Sequence, residues 1–277
     1  MSTTKKTVLI TGCSDGSLGA ALAIAFHNSG LKVYATARNP SKLKSVEALG
    51  IETLILDVLD DASIAEAASK ITELDILVNN AGAAYLMPLF DTPIAKGKEL
   101  FDLNVFSYLA VTRAFLPLII KSKGMIVNHT SMGSVCATPW NSLYCASKAA
   151  MAHLSEVQRL ELAPFDVRIV ELKTGAVRSH ISDRLKPILP EDSIFAKAKE
   201  AVEKAMSFEA IAKDVMDPDV WARATVADLL KSTPRAIIWR GAYAWLVWFG
   251  TMLPHGSLDG TIKKMLGLNV VAAKLKE

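Results

Sequence analysis

The chain has 277 residues, 51% of them hydrophobic and 21% charged, with a formal net charge of +3. That apolar share is enough for a large core and excludes a disordered chain. The near-balanced charge, with no basic block or nucleic-acid motif, excludes nucleic acid as a partner. Cys13, Cys136 and Cys145 follow neither a CxxC nor a Cys/His metal spacing, so no metal site is expected. An odd cysteine count without secretory context points to reduced thiols in an intracellular protein. The opening MSTTKKTVLITG runs straight into a strand and leaves no room for a signal peptide.

In chain order, apolar runs with buried parallel-strand character fall at residues 7–10, 32–36, 52–56, 76–78, 125–128 and 167–171. Helical periodicity marks residues 18–29, 63–72, 94–122 and 142–163 between them. This alternation predicts an α/β fold, a doubly wound parallel sheet with helices on both faces. The rhythm stops after residue 171, and residues 178–216 are mostly polar, helical in pattern and interrupted by Pro187 and Pro190. A last helix near 218–231 precedes a short apolar stretch at 236–239. No repeat, low-complexity tract or linker divides the chain, so residues 1–277 are expected to form a single domain with its core at about 5–240.

The first strand leads into Thr11-Gly12-Cys13-Ser14-Asp15-Gly16-Ser17-Leu18-Gly19 and then the helical run AALAIAF. Glycines allow the tight turn and the approach of a pyrophosphate to the helix N-terminus, where free N–H groups favour anions. Alone, the pattern is equally an ordinary glycine-rich strand-to-helix turn; its place after the first strand and its companions elsewhere decide for a cofactor. Asp15 is read as a helix N-cap, and Cys13 as a small side chain with no redox role. The second strand ends in Ala37-Arg38-Asn39-Pro40. No carboxylate stands there to accept from a ribose 2′-OH, whereas Arg38 suits a 2′-phosphate, so NADP(H) is expected over NAD. The alternative is a solvated surface arginine.

Tyr144 and Lys148, four apart at the start of a helical run, share one face. A phenol ordinarily titrates near pKa ~10, and a neighbouring ammonium favours its ionised form, which suits acid–base work near neutral pH. Ser131 lies just past the strand MIVN, at the end of a parallel strand where such sheets place ligands. His129 is read as a hydrogen-bonded core residue, His153 as core or interface, and His180 as a residue that could reach substrate.

Asn104 in Leu103-Asn104-Val105, Asp57-Val58 after the third strand and Asn79-Asn80-Ala81-Gly82 after the fourth complete the set. Together these segments resemble the short-chain dehydrogenase/reductase superfamily over residues 7–179. The resemblance implies a Rossmann domain in which Asn104, Ser131, Tyr144 and Lys148 are catalytic. In those roles Ser131 orients a carbonyl, Tyr144 supplies the proton, Lys148 also binds the nicotinamide ribose, and Asn104 holds a relay water. It implies cofactor contacts from Gly12, Ser14, Gly16 and Leu18 in the turn, from Arg38, and from Asp57 and Val58. Further contacts are implied from Asn80, Ala81 and Gly82, from Tyr144 and Lys148, and from Gly175, Val177 and Ser179 after the sixth strand. It also implies that residues 178–216 form a lid over the substrate pocket and that the chain is a homodimer or homotetramer. The run at 114–120 and the Met151/Leu154 face are consistent with such an interface and equally with intramolecular core. Two features depart from the family: an extra residue in the glycine turn, and Thr174-Gly175 in place of Pro-Gly.

TGCSDGSLGAALA, YATARNPSK and IIWRGAYAWLVW are similar to the fungal and yeast NADPH-dependent 1-acyldihydroxyacetone-phosphate reductase group. The expected activity is therefore reduction of a ketone to a secondary alcohol on a hydrophobic or acyl-bearing substrate. The alternatives are an NADP-linked dehydrogenase or ketoreductase of a steroid or fungal polyketide-type metabolite, and a catalytically silent nucleotide sensor. The apolar C-terminal segment 241–277 opens with GAYAWLVWFGTML, thirteen uncharged residues, too few for the ~20 needed to span a bilayer. Apolar residues alternate with Lys263, Lys264, Lys274 and Lys276 beyond it. This pattern fits either peripheral contact with a membrane or lipid droplet or a segment folded back over the pocket. The expected location is the cytoplasm, with peripheral contact at the endoplasmic reticulum or a lipid droplet only on the first of those two readings.

Overall fold

The computed structural model describes residues 5–179, 187–207 and 214–277. Strands form at every expected position: β1 Thr7–Ile10, β2 Lys32–Ala37, β3 Glu52–Ile55, β4 Ile76–Asn79, β5 Met125–Ser131 and β6 Arg168–Thr174. The stretch near 236–239 adds β7, Ile237–Arg240. All pairings are parallel, in the order β3-β2-β1-β4-β5-β6-β7. The chain leaves the centre at β1, runs outward to β3 and returns to β4 beside β1. That reversal opens a crevice at the carboxyl ends of the central strands. β5 and β6 continue past their apolar runs as far as the pair Ser131↔Thr174. Their last residues are polar and buried, held by side-chain hydrogen bonds that apolar periodicity does not register.

The helices used below are α1 Leu18–Asn28, α2 Asp61–Ser69, α3 Ile94–Phe101, α4 Ser107–Ser122, α5 Ser142–Glu161 and α6 Lys199–Met206. They continue with α7 Pro218–Leu229, α8 Ala244–Gly250, α9 Asp259–Met265 and α10 Leu268–Lys274. Strand alternation sorts the core into two layers. Val8 and Ile10 meet Leu22 and Phe26 of α1 and Trp221 of α7 on one face. Leu9 turns to the other, with Ile64 of α2 and Phe115 and Ile119 of α4. Phe26, Phe115 and Trp221 are fully buried, each such side chain contributing on the order of 1.5–3 kcal/mol. Asn128 on β5 donates to Ser155 and Gln158 of α5 at 3.0 and 2.9 Å and accepts from Asn79 of β4 at 3.0 Å. A buried polar chain thus fixes α5 against the sheet.

The structure bears on three expectations here. The run at 94–122 is one rod containing a π turn, Asp102–Phe106, around Asn104. The rod is long and apolar enough to cross a membrane by composition alone, yet Tyr108, Val111, Phe115 and Ile119 lie buried in the core, which makes it a core helix. Met151 is fully buried, in line with the core reading of its face, and His153 on the same helix is exposed within this chain. Asp15 does not cap α1. Ser17 does, its Oγ accepting from Ala20 N at 3.2 Å, while Asp15 accepts from Ser45 N at 3.0 Å. The extra residue in the turn makes Ser17, next to the helix, the residue in capping position.

The segment 241–277 splits. Val271 of α10, with Leu268 and Leu275 partly buried, packs on Val202 and Met206 of α6 and on Met87 and Trp140. Trp140 Nε1 donates to Leu266 O at 3.1 Å. On α8 and just beyond it, by contrast, Trp245, Trp248, Phe249 and Met252 are exposed.

Candidate active site

The glycine turn is fastened to the end of β4. Asn80 Nδ2 donates to Thr11 O at 2.7 Å and to Gly12 O at 3.2 Å. Thr11 Oγ1 accepts from Asn80 N at 2.9 Å and Ala81 N at 3.0 Å. Gly12 has φ +74°, and a Cβ on it would lie 2.8 Å from Ala81 Cα. Gly16 is also at positive φ. Gly19, which the resemblance did not single out, is the tighter position: a Cβ there would lie 2.5 Å from both Gly12 O and Asn80 Nδ2. A pyrophosphate fits this cradle, because the backbone is pre-shaped and the first-turn N–H groups of α1 have no intrahelical acceptor. Ser14 and Leu18 lie in the same turn. Cys13 is buried, its Sγ donating to Ile10 O at 3.2 Å, and burial pushes the thiol up to about 12, which leaves it unreactive.

Arg38 stands exposed immediately after β2. It has no hydrogen bond or ion pair with another described residue. Asp57 accepts from Leu59 N at 3.0 Å, and Val58 is buried beside it. A cleft of about 760 Å³ opens between Val58, Ala83, Leu103 and Phe106. It includes none of Ser131, Tyr144 and Lys148, so it lies apart from the reacting groups.

Those groups meet where β5 gives way to α5. Ser131 ends β5, and its Oγ accepts from Gly133 N at 3.1 Å. Lys173 of β6 donates to Ser134 in the same turn at 3.0 Å and pairs with buried Glu171, which accepts from Thr130 at 2.7 Å. The Tyr144 phenol stands beside the Ser131 hydroxyl, which lowers its pKa. Burial pushes the phenol up to about 12, against that lowering effect. The ammonium of Lys148, at 5.9 Å from the Tyr144 ring centroid, does not release the phenol proton as the spacing suggested. Desolvation wins, and pulls Lys148 itself down to about 7. Lys148 Nζ donates to His129 O at 2.8 Å and to Tyr108 Oη at 3.4 Å.

Asn104 is buried, and its side chain makes three hydrogen bonds. Nδ2 donates to Ala83 O at 2.9 Å and Ser147 Oγ at 3.0 Å, and Oδ1 accepts from Ala83 N at 3.0 Å. It braces the loop after β4 against α5. Gly82 sits against this brace, where a Cβ would lie 3.0 Å from Asn104 Oδ1 and 3.6 Å from Lys148 Nζ.

His129 ties the strand ends together. Asn80 spends its amide protons on the glycine turn, so its Oδ1 accepts, at 2.8 Å, from His129 Nδ1. Burial holds the imidazole neutral, pulling it down to about 3, so Nε2 accepts from Thr174 Oγ1 at 2.7 Å. Thr174, the departure from Pro-Gly, supplies a donor that proline lacks. The ring also stacks on Trp221, with centroids 5.5 Å apart. Gly175 follows against β7, its N donating to Arg240 O at 2.8 Å. Arg178 N donates to Met216 O at 3.0 Å and Met216 N to Ala176 O at 3.1 Å, so both ends of the expected lid are joined beside Val177 and Ser179. His180 lies outside the described residues. Trp140, just before α5, has φ +69° and packs edge-on against Phe195 at 5.4 Å. The apolar cluster of α6 and α10 therefore adjoins the helix that carries Tyr144.

Comparison with known proteins bears on this site. The short chain dehydrogenase family model matches residues 6–188. The chain is 52% identical to a short-chain dehydrogenase/reductase of Pestalotiopsis microspora, over 100% of this chain and 99% of that one. It is 35% identical, over 90% of each chain, to the NADPH-dependent 1-acyldihydroxyacetone phosphate reductase of Schizosaccharomyces pombe. Among solved structures, a short-chain dehydrogenase from Streptomyces avermitilis aligns with a TM-score of 0.78 at 27% identity, over 99% of each chain.

Proposed function

The chain belongs to the short-chain dehydrogenase family of oxidoreductases, and from that premise we propose that it is an NADPH-dependent carbonyl reductase of hydrophobic, acyl-bearing ketones. The observation that carries this reading is the meeting of Ser131, Tyr144 and Lys148 at the carboxyl end of β5, beside the glycine turn. Tyr144 held protonated up to about 12 is the state from which a reductase starts.

In this reading Gly12, Ser14, Gly16 and Leu18 receive the pyrophosphate, and Arg38 receives the 2′-phosphate. Asp57 and Val58 border the adenine, while Asn80, Ala81, Gly82, Gly175, Val177 and Ser179 line the nicotinamide half. The chemistry that a bound dinucleotide would supply is a hydride for the carbonyl carbon. Ser131 Oγ–H hydrogen-bonds the carbonyl oxygen and orients it. Tyr144 transfers its proton to that oxygen as negative charge develops, which completes the alcohol and leaves a phenolate. Lys148 stabilises the phenolate through its charge and binds the nicotinamide ribose; Asn104 positions the loop after β4.

The apolar cluster around Trp140, Leu189, Val202 and Val271 supports a greasy substrate covered by residues 178–216. The Schizosaccharomyces relative supports an acyl-dihydroxyacetone phosphate. The exposed Phe106 and Leu160 support a homo-oligomer, and the exposed α8 aromatics support peripheral contact with a lipid surface. The test is NADPH consumption by the purified protein against acyl-dihydroxyacetone phosphates, steroid ketones and aromatic polyketide ketones, with Tyr144→Phe beside it. Turnover with an acyl ketone, reduced about 10²–10⁴-fold in Tyr144→Phe while NADPH binding persists, is expected. Absence of turnover with every ketone, or a Tyr144→Phe enzyme within about twofold of wild type, overturns the reading.

A further inference from the structure

Tyr108 lies on α4, outside the set of residues the family resemblance singles out, and is almost fully buried. Its hydroxyl donates to His129 O at 3.2 Å and accepts from Lys148 Nζ at 3.4 Å. Lys148 donates to the same carbonyl at 2.8 Å. The three atoms form a closed triangle in which one carbonyl oxygen uses both lone pairs and the phenol bridges its two neighbours. A buried amine has few ways to hold its proton, and hydrogen bonding to its charged form is one of them.

We propose that Tyr108 is a positioning residue for Lys148: its hydroxyl fixes where the amine points and keeps it in the ammonium form that Tyr144 needs.

The groups around the amine make this assignment specific. From α5 it faces the Tyr144 ring, from β5 the His129 carbonyl and a neutral imidazole, and from α4 Tyr108. Gly82, at the end of the loop after β4, brings no charge. No carboxylate is recorded in contact with Lys148 Nζ among the described residues. The two oxygens are therefore the acceptors on which the ammonium depends. Burial drives the phenol of Tyr108 well above its ordinary range, so it stays a neutral dipole at any pH where the enzyme works. Its lone pairs remain turned to the lysine, because its proton is committed to His129 O.

The sign of the effect follows. An acceptor stabilises the ammonium over the free amine, so removing it lowers the lysine's pKa. Hydrogen bonds to charged groups are worth roughly 1.5–3 kcal/mol, and ~1.4 kcal/mol is one pH unit. Tyr108→Phe, losing one of two acceptors at the longer distance, is expected to lower the Lys148 titration by about one unit. If reduction needs the ammonium, the alkaline limb of kcat moves to lower pH by the same amount, with KM for the ketone little changed.

This inference rests on the proposed roles of Tyr144 and Lys148, but its main readout does not need activity. Carbon-13 labelling at lysine Cε, with Lys148→Arg used to assign the signal, gives the titration of Lys148 directly in the protein without cofactor. A downward shift of about one unit in Tyr108→Phe supports the proposal. A titration that superposes on wild type overturns it, whatever the enzyme turns over. If Tyr108→Phe fails to fold, site-specific 3,5-difluorotyrosine at 108 keeps the shape and weakens the acceptor. A smaller shift in the same direction is then expected, and no shift overturns the proposal. Failure of the proposed reductase activity shows separately, as a wild-type protein that turns over no ketone.

Discussion

Burial acts in opposite directions on the two residues that would move the proton: it keeps the Tyr144 phenol protonated to about 12 and lets Lys148 lose its proton near 7. Their four-residue spacing revealed that they share a helix face, but it could not reveal this. Solvent exclusion is created by α4, β5 and the loop after β4, which are remote in sequence. The same limit hid Gly19 and Gly133. A Cβ on Gly133 would meet Cys145 Sγ at 3.1 Å and Ser131 Oγ at 3.4 Å, contacts that exist only after folding. Arg38 is the opposite case, since its position after β2 was legible and its exposure agrees with a residue awaiting a ligand. Arg38→Ala is expected to raise the apparent KM for NADPH by roughly tenfold to a hundredfold, the worth of a charge-assisted phosphate contact, and to leave that for NADH nearly unchanged. Steady-state kinetics with both cofactors decide; equal effects would show that Arg38 does not read the 2′-phosphate.

At the scale of elements, apolar runs located β1 to β4 closely, β1, β2 and β4 because they are mostly buried and β3 although its ends are exposed. They stopped short on β5 and β6, where His129, Thr130, Lys173 and Thr174 are buried in hydrogen bonds instead. Periodicity also could not separate a π turn from the α-helix around it, since Asn104 is placed by its bonds to Ala83 and Ser147. The histidine clamp belongs to this scale, because it joins the ends of β4, β5 and β6 through Asn80, His129 and Thr174. Thr174→Val removes the donor to Nε2 while keeping the shape, leaving a buried nitrogen unpaired. Such a group costs about 1–3 kcal/mol, and ~1 kcal/mol moves Tm by roughly 2–4 °C in a chain of this size. The variant is expected to melt about 2–10 °C below wild type, with Thr174→Ser close to wild type. Thermal unfolding of the three proteins checks this. A Thr174→Val protein melting with wild type would show that the clamp contributes nothing to holding the strand ends.

For the whole molecule, the sequence left open whether residues 241–277 meet a lipid surface or fold back on the protein; the structure folds the last part back and leaves the aromatics of α8 exposed. From Leu266 onward part of the apolar surface turns inward, with Val271 buried against α6, Leu268 and Leu275 partly buried, and the Leu266 carbonyl bonded to Trp140. Removing the whole tail would therefore strip a wall from the cluster beside α5, and a truncation could not isolate a surface effect. The aromatics of α8 are different: Trp245 is 70% and Phe249 48% exposed, with Met252 at 60%. Tryptophan is the side chain that prefers the headgroup level of a bilayer. The exposed Lys263 and Lys264 of α9 add the charge that draws such a patch to anionic lipid. Replacing Trp245, Trp248 and Phe249 by Ala changes exposed or half-exposed positions, so the fold and the turnover of a water-soluble ketone are expected to persist. Flotation with vesicles containing phosphatidylserine is expected to carry the wild type upward and to leave the triple variant at the bottom of the gradient. Flotation of the wild type should weaken as salt rises, because the lysine contribution is screened within ~10 Å at 0.1 M. Equal flotation of both proteins, or of neither, would mean that these aromatics serve a protein contact or none, and that no lipid surface is engaged through α8.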